Sequence, residues 1–118
     1  MTQPNAHELL DIARLTLLEE VLPALSSELR YPALMIANAM AIAARESGLE
    51  TFASSQELAR LAALLDEASS SLPEARRQLA RAIRQGNHDG PQNRRNLVEA
   101  LRQTTLARLA ISNPKALP

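Results

Sequence analysis

Residues 32–46 read PALMIANAMAIAARE, and between the opening proline and the closing Arg45-Glu46 pair every position but Asn38 is apolar. Alanine, leucine and methionine are among the best helix formers. A proline in a helix's first turn costs little, because the N–H it lacks has no intrahelical acceptor. The stretch therefore predicts a helix from Pro32 to about Glu46, stopped by Gly48. A helix that is apolar around its whole circumference is a buried one, so this second helix is the expected centre of the fold.

Working outward, Asn5 followed by Glu8 has the spacing of a capping box and predicts a first helix from about Ala6. Leu10, Ala13, Leu17 and Val21 recur on one of its faces. Pro23 has no N–H to offer the Glu19 carbonyl, so this helix should kink there before ending near Leu29. Ser54 with Glu57 and Ser71 with Glu74 are two more capping boxes. They predict helices to about Ser69 and to Gly86, with Leu58, Leu61, Leu65, Ala68, Leu72, Leu79 and Ile83 facing inward. The run Gly86-Asn87-His88-Asp89-Gly90-Pro91 is a turn. Pro91 then starts a last helix with Leu97, Leu101 and Leu109 inward, ended by Asn113-Pro114. The expected fold class is all-α: an up-down bundle of about five helices, one domain over residues 1–118, with a buried second helix and a proline kink in the first.

Composition agrees. Of 118 residues 46% are apolar but only 2% aromatic (Tyr31 and Phe52), which suits leucine and alanine packing between helices and leaves little for strands. The absence of cysteine removes disulfides, thiolate metal sites and thiol nucleophiles together. Residues 1–11 have no basic segment followed by an apolar one, and no run approaches the ~18 apolar residues that span a bilayer. The expectation is a soluble cytoplasmic protein.

Formal net charge is zero but unevenly spread. Residues 1–75 hold four basic and eleven acidic side chains, net −7; residues 76–118 hold nine basic and two acidic, net +7. Such a contrast points to an anionic partner or to self-complementary packing. Arg77, Arg81 and Arg84 fall on one helical stripe, and Arg94 and Arg95 open the last helix, where cations oppose its dipole at ~0.3–1 kcal/mol each. With His88 in the loop between, these arginines form a candidate anion site. The competing reading is a basic face that is solvated or paired with the acidic helices.

Three polar residues in and beside the apolar stretch read as structural. Asn38, if buried, must be hydrogen-bonded, and the Glu19 carbonyl freed by Pro23 is the expected acceptor. Arg45 suits a helix C-terminus; Glu46 does not, and calls for an arginine partner. His7 and Asp11 sit one turn apart like two metal ligands, but no third ligand is evident, and an acid-rich first turn accounts for them. No metal site, cofactor or catalytic set is expected: the phosphate-binding glycine loop is missing, and no nucleophile stands at recognisable spacing from a base.

The segments Leu29-Arg30-Tyr31-Pro32, Asn38-Ala39-Met40-Ala41-Ile42 and Arg45-Glu46, with Arg108-Leu109-Ala110-Ile111-Ser112-Asn113-Pro114, resemble a family of short all-helical bacterial proteins catalogued only as a domain of unknown function. The resemblance extends to Glu8-Leu9-Leu10 and Glu19-Glu20-Val21-Leu22-Pro23. It implies no activity, ligand or site. Members of that family tend to be encoded beside acyl-CoA dehydrogenase-like and aminoglycoside phosphotransferase-like proteins, which implies an accessory role in acyl-CoA metabolism.

The leading expectation for function is a non-enzymatic interaction or accessory module that forms a homo-oligomer or joins a protein partner. An alternative is a binder of a phosphorylated small molecule, CoA esters first, held by Arg77, Arg81, Arg84, Arg94, Arg95 and His88. Nucleic-acid binding ranks lower, because the basic half lacks stacking aromatics and the net charge is zero.

Overall fold

The structure, a computed structural model, describes residues 4–118. Among them it forms four α-helices and no strand: α1 (Ala6–Thr16), α2 (Ser27–Leu65), α3 (Leu72–Arg84) and α4 (Pro91–Ser112). The all-α expectation holds at that level. Five helices were expected, and the difference lies in residues 27–65, where one helix of 39 residues replaces two.

Asn5 caps α1, its side chain accepting from the Glu8 N–H at 2.9 Å. The regular ladder ends at Thr16 and passes into a π-helical turn, Leu17–Val21, in which the Leu22 N–H reaches back to the Leu17 carbonyl. A 3₁₀ turn, Leu22–Ala24, follows and contains Pro23. Proline cannot donate to the carbonyl four residues back, and wide and tight turns are the usual ways of accommodating that lost bond. Leu25 is extended, so the first helical segment ends ahead of the expected Leu29.

Helix α2 then starts five residues before Pro32, leaving that proline inside the helix. Glu28 in the first turn suits the dipole, and the ring forfeits one bond, from the Glu28 carbonyl. Gly48 does not stop the helix. A helical glycine costs about 1 kcal/mol against alanine, a penalty but not a terminator unless its backbone turns left-handed, and Gly48 is not among the positive-φ residues. Consequently the Ser54–Glu57 capping box is not used as a cap: both residues lie in mid-helix. The left-handed residue that ends α2 is Asp66, at φ 55°.

Ser71 caps α3, accepting from the Glu74 N–H at 3.3 Å. Its C-terminus closes on Gly86 (φ 82°), with Asn87 N–H to the Ala82 carbonyl and Gly86 N–H to the Ile83 carbonyl, both 3.0 Å. That pair of bonds requires a left-handed residue, which explains the glycine. Helix α4 opens on Pro91, its first ladder bond running from Arg94 N–H to the Gly90 carbonyl at 2.8 Å.

The chain packs as two compact units, one of residues up to 50 with 110–116, the other of residues 51–109. In the second, Leu61, Ala75 and Leu79 are buried, with Leu58, Leu64, Leu65, Leu72 and Leu97 packed around them. Ala68, Ile83 and Leu101, expected inward, are exposed. In the first, the buried apolar side chains are Ala33, Ala37, Ala44 and Ile111. The second helix is therefore not buried all round as expected: Leu34, Met35 and Ile36 each remain about half exposed.

Candidate functional site

In the 51–109 unit the acidic front meets the basic back at a buried side chain. Glu57, 5% exposed, takes both Arg76 Nε (2.7 Å) and an Arg76 terminal nitrogen (2.8 Å), and its Oε1 also accepts from Arg108 at 3.1 Å. The Arg76 guanidinium holds the Glu57 carboxyl below the ordinary glutamate range; burial pushes the other way, and Arg108 adds to the lowering. One carboxylate from α2 thus joins α3 and α4. A forked arginine on a carboxylate fixes orientation as well as distance, so this cluster organises the unit rather than presenting charge to a ligand.

The arginines that spacing singled out are placed otherwise. Arg77 is paired with Glu74 of its own helix at 2.9 Å, and Arg95 donates to Gln92 at 2.9 Å. Arg84 and Arg94 are exposed. Arg81 lines a hollow of about 290 Å³ with Glu67, Gln78 and Asn87. His88 is buried at 7% exposure beside a smaller hollow, and its Nδ1 has no hydrogen-bond partner among the described residues. Among the described residues no carboxylate pairs with either of the two arginines that open α4.

In the other unit three sequence-singled residues change roles. Arg45 does serve a helix C-terminus, but that of α4: its Nε donates to the Ile111 carbonyl at 2.7 Å, one of the last four carbonyls that α4 cannot satisfy itself. Asn38 is exposed, not buried, because it lies one residue, about 100°, round the helix from the buried Ala37. Its expected hydrogen bond to the first helix is not formed. Glu46 is exposed, and no ion pair reaches it among the described residues. His7 Nδ1 is close to the Ala44 carbonyl (2.8 Å) and so donates to it, while Nε2 stands 3.4 Å from Asp11. Among the described residues no three His, Cys, Asp or Glu side chains gather as a metal-holding group.

Asn38 and Arg45 share a wall. With Arg14 of α1, Ala41, Ser112 at the end of α4, and Asn113, Pro114 and Lys115 beyond it, they line a hollow of about 610 Å³. Three of these side chains are cations and none is a carboxylate. Arg14 Nε is shut off from solvent with no acceptor among the described residues. Sequence reasoning missed Arg14 and Lys115 because 101 positions separate them, and no local spacing announces a site made from both ends of a chain. It missed the Glu57 cluster for a different reason: the signal was seen but assigned to capping.

An all-helical chain with a buried arginine–glutamate cluster and a cationic hollow defines no known activity by itself. The chain belongs to the family described as a domain of unknown function (DUF6285), whose profile matches residues 23–116, a span that includes Asn38, Arg45, Glu57 and Lys115 but not Arg14. No curated protein and no solved structure matches it. Among the described residues no helix is long and apolar enough to cross a membrane.

Proposed function

We propose that this chain is a non-enzymatic, cytoplasmic interaction module that works as a homo-oligomer, a second copy covering the apolar surface of α1 and the first half of α2. The observation that carries this reading is the mismatch between composition and burial in the first unit. Its buried apolar side chains are three alanines and Ile111, while Leu9, Ile12, Leu29, Tyr31, Met35 and Ile36 are each 51–71% exposed. A helix apolar around its circumference belongs inside something. Here the buried second helix anticipated from sequence is completed by another chain.

Fully burying such a side chain is worth about 1.5–3 kcal/mol, so covering the exposed half of these six contributes roughly 6 kcal/mol per protomer and 12 per dimer. That is on the scale of the ~4–15 kcal/mol association cost. The occupant we favour is a second copy, because residues 33–44 carry no charge and one amide, which gives nothing for a charged foreign surface to read. An apolar strip mixing large side chains with alanine is also self-complementary, as a two-fold interface demands. The opposite charges of the front and back of the sequence then guide association from a distance.

Light scattering after size exclusion tests this. The wild type is expected at twice 12.9 kDa or a higher multiple at both low and high salt. Met35→Glu with Ile36→Glu should give a monomer with an unchanged helical circular-dichroism spectrum. A wild type that stays monomeric at about 100 μM overturns the proposal; so does a monomer that instead holds one different protein in stoichiometric amount.

A further inference from the structure

We infer that the hollow between Arg14, Arg45 and Lys115 is a binding site for the phosphate group of a small molecule. It lies in the first unit and shares no residue with the arginine stripe that sequence spacing favours, and the inference stands whether the chain is monomeric or oligomeric.

Three observations converge on it. The first is charge. Arg14, Arg45 and Lys115 face one space with Asn38 and Asn113, and no aspartate or glutamate lines it. Among the described residues none of the three cations is in an ion pair, although the chain elsewhere matches Arg76, Arg77, Arg102 and Arg108 to carboxylates. The C-terminus of α4 also meets this region, through the Ile111 carbonyl that accepts from Arg45. A helix end supplies about −0.5 charge, which leaves roughly +2.5 to be neutralised. A carboxylate supplies −1; a phosphomonoester supplies about −1.5 to −2 near neutral pH and is the better match.

The second observation is an unused donor. Arg14 Nε is buried without an acceptor among the described residues. A buried donor left unmade costs about 1–3 kcal/mol, a cost that a guanidinium otherwise easily avoids by reaching water. Arg45 spends its Nε on Ile111, which fixes the plane of its guanidinium and leaves its terminal nitrogens for other acceptors. Guanidinium groups pair with phosphate oxygens in a two-pronged geometry, and a lysine adds a mobile point charge.

The third is size. About 610 Å³ falls within the range of small-molecule sites and exceeds what a lone phosphate fills, so the phosphate is one end of a larger molecule whose remainder meets Ala41 and Pro114. The chain contributes these groups from α1, α2 and the segment after α4, so the bound ligand bridges all three.

The test uses inorganic phosphate and pyrophosphate as probes, titrated calorimetrically into the full-length protein at constant ionic strength, with acetate as the carboxylate comparison. Saturable binding is expected for both phosphates, weaker by at least about tenfold for acetate, and tighter at pH 8 than at about pH 6 as the second phosphate proton leaves. Arg14→Gln and Lys115→Gln should each weaken phosphate binding by roughly tenfold, the loss of one charge-assisted contact. Neither side chain makes a hydrogen bond or ion pair among the described residues, and each adds to an unneutralised positive charge, so neither variant should melt below the wild type without ligand. Arg77→Gln and Arg95→Gln should bind as the wild type does. No heat with either phosphate at about 10 mM, affinity unchanged in Arg14→Gln and Lys115→Gln, or acetate bound as tightly as phosphate would each overturn the inference.

Discussion

Replacing Glu57 by glutamine is the most informative single change, because it keeps shape while removing the charge and turning one of the two acceptor oxygens into a donor. Glu57 is the acceptor for two arginines and is itself almost fully buried, whereas Arg76 and Arg108 keep about half and a third of their side-chain surface in water. Breaking a fully buried ion pair by removing one partner costs about 3–5 kcal/mol, mostly the stranded charge. Here the stranded charges are the two partly solvated guanidinium groups, so the expected loss is smaller, about 2–3 kcal/mol. For a domain of this length that lowers Tm by about 8–12 °C.

The pH dependence gives an independent check. Because the folded-state pKa of Glu57 lies below its unfolded value, its contribution is complete above the ordinary carboxylate pKa and is lost as pH falls through the folded value. The gap in Tm between wild type and Glu57→Gln should be full at neutral pH and should close progressively below about pH 4.3. Glu99→Gln is the control, since its pair with Arg102 is exposed on both sides at 3.8 Å, and should change stability by less than about 0.5 kcal/mol. Thermal unfolding followed by circular dichroism across this pH range reads both effects. A Glu57→Gln protein no less stable than the Glu99 control, or a gap that does not change with pH, would refute the reasoning.

The glycines separate conformation from space. Gly86→Ala should lower stability by about 1–2 kcal/mol, since φ is 82° and the new methyl would stand 3.1 Å from the Asp89 carboxylate. Gly48→Ala should raise it by about 0.5–1 kcal/mol: the backbone is helical there, and the nearest atom to the added carbon is His7 Nδ1 at 3.7 Å, an ordinary contact. Opposite shifts in Tm are the readout. Asn5→Ala should cost about 1 kcal/mol of local stability at the start of α1, seen as faster amide hydrogen exchange at Glu8.

How much of this was legible in the sequence differs from residue to residue. Asn5, Ser71, Gly86 and Pro91 mark the ends of helices in the structure where the sequence places them, since each acts on backbone groups within a few positions of itself. Gly48 and Ser54 carry the same local signals and do not end anything. A cap is worth about 1 kcal/mol and a helical glycine costs about as much, so neither decides against strong helix formers on both sides. Pro32 was tolerated inside α2 for a similar reason: one lost bond near a helix start is a small part of a 39-residue ladder.

The sites were less legible than the helices. Arg45 was matched by its chemistry to a helix C-terminus, and it serves one, but 66 residues away in sequence rather than on its own helix. Glu57 was visible as a carboxylate at cap spacing, yet its role depends on Arg76 and Arg108 arriving from two other helices. The stripe of Arg77, Arg81 and Arg84 was visible because spacing is local, and the structure leaves those side chains paired within the helix, beside a hollow or exposed.

The sequence by itself determined the all-helical class, the helix ends that depend on nearby backbone groups, and the separation of acidic from basic residues. Those follow from propensity, capping and charge counts, which are properties of neighbouring residues. Only the tertiary structure decided that α2 runs unbroken, that alanines rather than leucines are the buried face of its first half, that Glu57 is a buried junction, and that Arg14 and Lys115 share a hollow. Each of these depends on which distant groups desolvate or satisfy a given side chain, and that energy exists only once the helices have packed.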